Sequence, residues 1–199
     1  MSTVPKRLFT TDEYLRHERS AEFKSEFYRG ELFAMAGASR EHNLIVGNLV
    51  RELGNSLKDR PCEVYPSDMR VKINATTLYT YADVSVACGP PEFEDDVFDT
   101  LLNPTLIAEV LSDSTESYDR GAKFAQYRRI SSLKEVVLIA QDRLSIEVFC
   151  RSEDSSWRLT EFDAIDQTAW LSSVGVSIAV GEIYRNIQLD DESTQETSG

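Results

Sequence analysis

Hydrophobic positions recur along this chain with two different periods, and the switches between them mark its elements. Thr10 and Thr11 precede Asp12, Glu13, Tyr14 and Leu15, so a hydroxyl cap and first-turn acid open a short helix. Residues 23–28 and 31–35 alternate around Arg29-Gly30, the pattern of a β-hairpin. Ser39 then caps a long amphipathic helix. Leu44, Ile45, Leu49, Val50, Leu53 and Leu57 fall along it at helical spacing, and Pro61 stops it. Strand-like runs follow over 63–73, 79–87 and 105–111, then a helix over 118–130, and strands over 135–139, 145–151 and 157–162. A last structured piece is expected over 176–184.

This order, without internal repeat or linker, indicates a single domain over 1–187 of the α/β (α+β) class, with one mixed central sheet flanked by helices. The polar, acidic stretch 188–199 has no apolar periodicity and is expected to be a disordered tail.

Composition narrows the picture. A chain of 199 residues can bury roughly 70% of its unfolded surface. Its 41% hydrophobic and 28% charged residues describe a soluble globular protein. No apolar run nears the roughly 20 residues of a membrane helix, and Met1 to Lys6 lack a signal-peptide core, so a cytoplasmic protein with no membrane partner is expected. Cys62, Cys88 and Cys150 are odd in number, widely spaced and strand-borne. They read as reduced core residues, with no metal-ligand spacing.

A net charge of −13 argues against tight nucleic-acid binding by bulk electrostatics. The acid is unevenly spread, however. Glu92, Glu94, Asp95, Asp96 and Asp99 crowd one segment, whereas Arg120, Lys123, Arg128, Arg129 and Lys134 face only Asp119 across residues 119–134.

One position stands out chemically. Glu109 lies in the middle of Leu106-Ile107-Ala108-Glu109-Val110-Leu111, a run that reads as an interior strand. Alternation puts Ile107, Glu109 and Leu111 on one face, with Ala108 and Val110 on the other. A buried carboxylate needs a paired charge, a hydrogen-bond network or a metal. Asp83 occupies a similar run one strand earlier, and two such carboxylates at one sheet edge would make an oxygen-lined site suited to Mg²⁺ or Mn²⁺. From the following helix, Asp119, Lys123 and Tyr127 share a face, and Lys123 could reach both carboxylates.

The ordered set of these pieces resembles the PD-(D/E)XK nuclease superfamily, and within it the bacterial putative restriction endonuclease family that was formerly a domain of unknown function. The pieces are Gly30-Glu31, Ser39 with His42, Pro66 to Val71, Tyr81-Ala82-Asp83-Val84, and Asn103-Pro104 through Ser112, Ser114-Thr115, Tyr118-Asp119-Arg120, Lys123-Phe124 and Tyr127-Arg128. The likeness spans about residues 11–184. It implies a restriction-endonuclease-like core and metal-assisted hydrolysis of phosphodiester bonds in nucleic acid, with DNA the expected substrate.

In that reading Asp83, Glu109 and the Val110 carbonyl hold the cation, and Lys123 positions the water or stabilises the transition state. Glu31, His42, Asp68 and Asp119 are supporting candidates. Two departures matter: Ala82 replaces the proline usual before the aspartate, and Leu111 replaces the lysine expected two residues after the glutamate, which shifts that role to Lys123. Related nucleases are often dimers, so a homodimer is expected.

Plainer roles compete. Lys123 could be the salt-bridge partner of Asp119 on a solvated helix face, Asp119 a helix-terminal charge, His42 a cap or core-edge residue, and Asp68 structural. At the level of the whole chain the alternative is a catalytically silent nuclease-fold module that binds a protein partner. A small-molecule hydrolase lacks any nucleophile in an elbow-like setting.

Overall fold

The structure, a computed structural model, describes residues 7–189. Helix α1 (Thr11–Glu18) is closed at its start by a reciprocal cap: the Thr10 hydroxyl accepts the Glu13 N–H, and the Glu13 carboxylate accepts the Thr10 N–H. Strands β1 (Ser25–Tyr28) and β2 (Glu31–Ala34) form the expected hairpin. Its two turn residues, Arg29 and Gly30, both have positive φ (52° and 87°), the two-residue turn whose twist matches the strands it joins.

Helix α2 (Arg40–Leu57) is capped by Ser39, whose hydroxyl accepts the His42 N–H at 3.0 Å. Its residues Ile45, Leu49, Leu53 and Leu57 are buried at a spacing of four. That stripe packs on one face of a six-stranded sheet, against Val84, Val86, Leu106, Ala108 and Val110.

The strands continue with β3 (Cys62–Pro66), β4 (Arg70–Ile73), β5 (Leu78–Tyr81), β6 (Val84–Cys88), β7 (Thr100–Leu101) and β8 (Leu106–Leu111). A helical segment follows, built from α3 (Glu116–Tyr118), a π-helical turn (Asp119–Lys123) and α4 (Phe124–Tyr127). Then come β9 (Glu135–Ala140), β10 (Ile146–Arg151), β11 (Trp157–Phe162), β12 (Thr168–Leu171), β13 (Val176–Ala179) and α5 (Val180–Ile183).

The central sheet runs β11-β10-β9-β8-β6-β3, with β8 and β9 parallel and its other pairs antiparallel. This is the expected mixed sheet. Parallel neighbours need a crossover, and the segment 116–127 supplies it, covering the sheet face opposite α2. Every residue of β8 and β9 is buried, which is why both read as mainly apolar runs, with Glu109 the exception inside β8.

Two sequence segments divide between sheets. The run 63–73 breaks after Pro66, and the run 79–87 breaks at Ala82-Asp83. Their outer halves, β3 and β6, pair in the central sheet, while β4 and β5 pair in a second sheet of order β2-β1-β5-β4-β7. Apolar runs report burial and carry no information about which sheet does the burying, so the crossing was hidden. The break leaves Asp83 at the junction of the two sheets.

Three further differences concern the ends and the cysteines. The piece over 176–184 is a strand followed by one helical turn, with β13 pairing to β12 as a separate ribbon. Leu189 packs against the core, and the rest of the stretch 188–199 expected to be a disordered tail, residues 190–199, lies outside the described residues. Cys62 and Cys88 are not reduced core thiols; they face one another in the β3–β6 register and form a disulfide, while Cys150 is free and half-buried. A sequence separation of 26 gives no hint of that pairing, which only the strand register creates. Among the described residues no helix is long and apolar enough to cross a membrane.

Candidate metal and catalytic site

Glu109 is the fourth residue of β8 and projects from the face that also carries Ile107 and Leu111. On the neighbouring strand the register pairs Val84 with Ala108 and Ser85 with Ile107. The pairing ends at Val84, and Asp83 is the bend residue immediately before it, at the end of the ladder beside the strand of Glu109. The Asp83 carboxylate is held at two points: Oδ2 accepts the Val110 N–H at 2.7 Å, and Oδ1 lies 3.0 Å from His42 Nε2. His42 belongs to the first turn of α2, so Asp83 is gripped from that helix on one side and from the backbone of the Glu109 strand on the other.

The crossover segment brings the cation. Lys123 ends the π-helical turn, and its ammonium lies 2.9 Å from Glu109 Oε1, 3.3 Å from the Tyr81 carbonyl, 3.5 Å from Asp119 Oδ1 and 3.8 Å from Glu26 Oε1. Single π turns inside helices recur at functional sites, where the extra residue re-aims a side chain. Tyr127, one turn further on, donates its hydroxyl to the same Glu109 Oε1. The Glu26 carboxylate accepts hydroxyls from Thr80 and, at 2.8 Å, Tyr118. Glu109 is 3% exposed, Lys123 and Asp119 5% each, and Glu26 7%, so the whole group is withdrawn from water.

Burial sets the protonation preferences. It pushes the Glu109 carboxyl up to about 8, with Lys123 opposing the rise and the charges of Asp83 and Asp119 adding to it. Asp119 is raised for the same reason, again against Lys123. Burial disfavours the Lys123 ammonium, but Glu109, then Tyr127, Asp119 and Glu26 outweigh it and hold the lysine well above its ordinary range. Lys123 is therefore a stable cation and not a base.

The charge balance is uneven. Glu26, Asp83, Glu109 and Asp119 bring four carboxylates to one place, against the single ammonium of Lys123 and an imidazole, His42, beside Asp83. Among the described residues no three His, Cys, Asp or Glu side chains stand as a ready-made metal cage. The donor set still fits Mg²⁺ or Mn²⁺. It consists of hard oxygens, its carboxyl groups outnumber its ammonium, and Mg²⁺ characteristically uses only one or two carboxylates and completes its shell with water and substrate phosphate.

The structure thus brings together Asp83, Glu109, Lys123, His42 and Asp119, with Val110 contributing its N–H to Asp83. The Asp119–Lys123 pair exists, but it is buried and turned to the site instead of lying on a solvated face. Asp68 is elsewhere, in the turn between β3 and β4, with 88% of its side chain exposed and Lys24 at 2.7 Å. Glu31 stands opposite Tyr28 in the hairpin; the hairpin carboxylate in contact with Lys123 is Glu26. Of the basic run, Arg120 is taken up by Glu116 and Glu147 and Lys123 by the cluster, which leaves Arg128, Arg129 and Lys134 exposed.

Glu26 escaped sequence reasoning because it sits on the polar side of an alternating strand, where a glutamate normally meets solvent. Tyr118 and Lys123, more than ninety residues away, are what cover it.

Comparisons with known proteins agree with this architecture. Residues 11–181 match the model of a family named Uma2 and described as "Putative restriction endonuclease". Two proteins of Synechocystis sp. (strain ATCC 27184 / PCC 6803 / Kazusa), both called uncharacterized, are similar. The protein slr1290 is 35% identical over 93% of this chain and 96% of its own length, and sll1609 is 41% identical over 81% and 91%. Among solved structures, one described as a putative nuclease belonging to DUF820 from Anabaena variabilis ATCC 29413 superimposes with a TM-score of 0.72. It covers 88% of this chain and 97% of its own at 18% identity, a likeness of fold.

Proposed function

The chain belongs to the Uma2 family of putative restriction endonucleases, and on that premise we propose that it is a Mg²⁺-dependent endonuclease that hydrolyses phosphodiester bonds in DNA. The observation that carries the proposal is a buried Glu109 that lies 2.9 Å from the Lys123 ammonium, on the strand whose next amide, that of Val110, binds the Asp83 carboxylate. Asp83 and Glu109 would hold the cation, with the Val110 carbonyl as a further oxygen. Bound there, a divalent cation supplies a Lewis acid for a phosphoryl oxygen and lowers the pKa of water.

The chain's own groups do the rest. Tyr127 and Lys123 fix the Glu109 carboxylate on one oxygen, and His42 with the Val110 N–H fixes that of Asp83. Lys123 keeps its proton, so its part is electrostatic: it donates to the attacking water or to the oxygens on which negative charge builds. The exposed Arg128 and Arg129 offer phosphate contacts without base-specific readout.

The test is cleavage of plasmid and single-stranded DNA with Mg²⁺ or Mn²⁺ and with a chelator, using the wild type beside Asp83→Ala and Glu109→Ala. Metal-dependent cutting that both substitutions abolish is the expected result. No cutting by the wild type, or equal cutting by the variants, would leave the alternative of a silent nuclease-fold module with a protein partner.

A further inference from the structure

An ammonium group has three N–H donors, and in Lys123 the three nearest acceptors are Glu109, the Tyr81 carbonyl and Asp119, at 2.9, 3.3 and 3.5 Å. Glu26, at 3.8 Å, is a fourth, too distant for a hydrogen bond. A buried glutamate that no donor on the lysine requires is costly unless something else holds it there. Thr80 on β5 and Tyr118 on α3 do hold it, each donating a hydroxyl to a different carboxylate oxygen. The result is a fixed carboxylate, held from two separate elements, with Oε1 3.8 Å from the Lys123 ammonium.

That arrangement has a use if Glu109 is also a metal ligand. A divalent cation on that carboxylate would neutralise its charge and repel the ammonium, so the lysine's shortest contact, the 2.9 Å one to Glu109, would weaken in the working state. We propose that Glu26 is the positioning residue of Lys123: it supplies the acceptor that keeps the ammonium in place when the Glu109 carboxylate engages a divalent cation. The proposal rests on the nuclease reading for its catalytic meaning. Its structural content, the hand-over of Lys123 from Glu109 to Glu26, can be observed without turnover. Glu26 acts through Lys123 and touches neither substrate nor the reacting atoms.

The decisive experiment follows the Lys123 ammonium by ¹H–¹⁵N NMR in the full chain. Its signal is assigned by its loss in Lys123→Met, and wild type and Glu26→Gln are compared as MgCl₂ is added. Without Mg²⁺ both proteins should show the signal. With saturating Mg²⁺ the wild type should keep it at a shifted position, and Glu26→Gln should lose it to solvent exchange. Cleavage assays on the same samples should show kcat down at least ten-fold in Glu26→Gln with KM for DNA unchanged.

A Glu26→Gln signal that survives Mg²⁺ as the wild-type signal does, or a wild-type signal that disappears with Mg²⁺, overturns the proposal. Should Glu26→Gln not fold, Glu26→Asp repeats the comparison with the charge kept but drawn back by one methylene; the signal should then weaken in Mg²⁺, and no difference from wild type again overturns it. Wild-type protein that never cuts DNA sinks the nuclease reading alone, because the ammonium comparison still decides the hand-over.

Discussion

The Asp83 carboxylate accepts the backbone N–H of Val110 at 2.7 Å, so the residue that precedes β6 is fastened to the strand that carries Glu109. One bond thereby couples the two acidic positions: the amide after Glu109 fixes where the Asp83 side chain sits. It also occupies an N–H at the end of the β6–β8 ladder that would otherwise be left open.

Replacing Asp83 should accordingly have two separable effects. Asp83→Ala removes both the charge and the acceptor, and should cost about 1–3 kcal/mol of stability as the Val110 N–H loses its partner. Asp83→Asn keeps an acceptor and should recover most of that in urea titrations. Both variants should lower metal-dependent cleavage by about a hundred-fold or more, because both lose the anionic ligand.

Lys123→Met should be the most damaging single change in the site. It leaves Glu109, Asp119 and Glu26 together with no cation at a place withdrawn from water. Removing one partner from a buried ionic cluster costs about 3–5 kcal/mol, measurable by denaturant unfolding at neutral pH. Added Mg²⁺ should restore part of the loss, a rescue that an inert cation such as tetramethylammonium should not reproduce.

The pH dependence of Glu109 has a definite sign. Its folded pKa, about 8, lies above the ordinary carboxyl value of 4.5. A group raised in this way contributes its full stability below the unfolded value and loses it as pH climbs through the folded one. Lys123 stays charged across that window and adds no slope of its own. Between about pH 4.5 and 8 the thermal stability of Glu109→Gln should therefore improve relative to the wild type, and above about 8 the difference should level off. Parallel melts of the two proteins from pH 5 to 9 check this. Mg²⁺ binding should also release a proton near neutral pH, seen as a buffer-dependent heat in calorimetry.

The Cys62–Cys88 disulfide joins the ends of β3 and β6 that lie away from Asp83. Closing a loop of 26 residues in the unfolded chain is worth about 3 kcal/mol in the chain-entropy description. The double substitution Cys62→Ser and Cys88→Ser should lower stability by that order while leaving cleavage within about two-fold of wild type. A large loss of activity at a temperature where the variant is still folded would contradict the separation of bridge and site.

The hydrophobic pattern by itself located most of the elements, though not β7 or β12, because local periodicity and capping chemistry depend on neighbours within a few residues. Thr10, Ser39, Arg29-Gly30 and the apolar stripe of α2 all announced their structures in this way. Glu109 could also be singled out, since a carboxylate inside Leu106–Leu111 is anomalous whatever the fold, and Lys123 followed from helical spacing. The tertiary structure alone decided the rest. Strand register set Cys62 against Cys88; the Val110 amide fastened Asp83 to the Glu109 strand; the break at Ala82-Asp83 sent one apolar run into two sheets; and the covering of β1 by Tyr118 and Lys123 turned Glu26 from a solvent-facing residue into part of the site. Those outcomes depend on contacts between residues far apart in the chain. Such contacts are settled by the packing of whole elements, which no local pattern encodes.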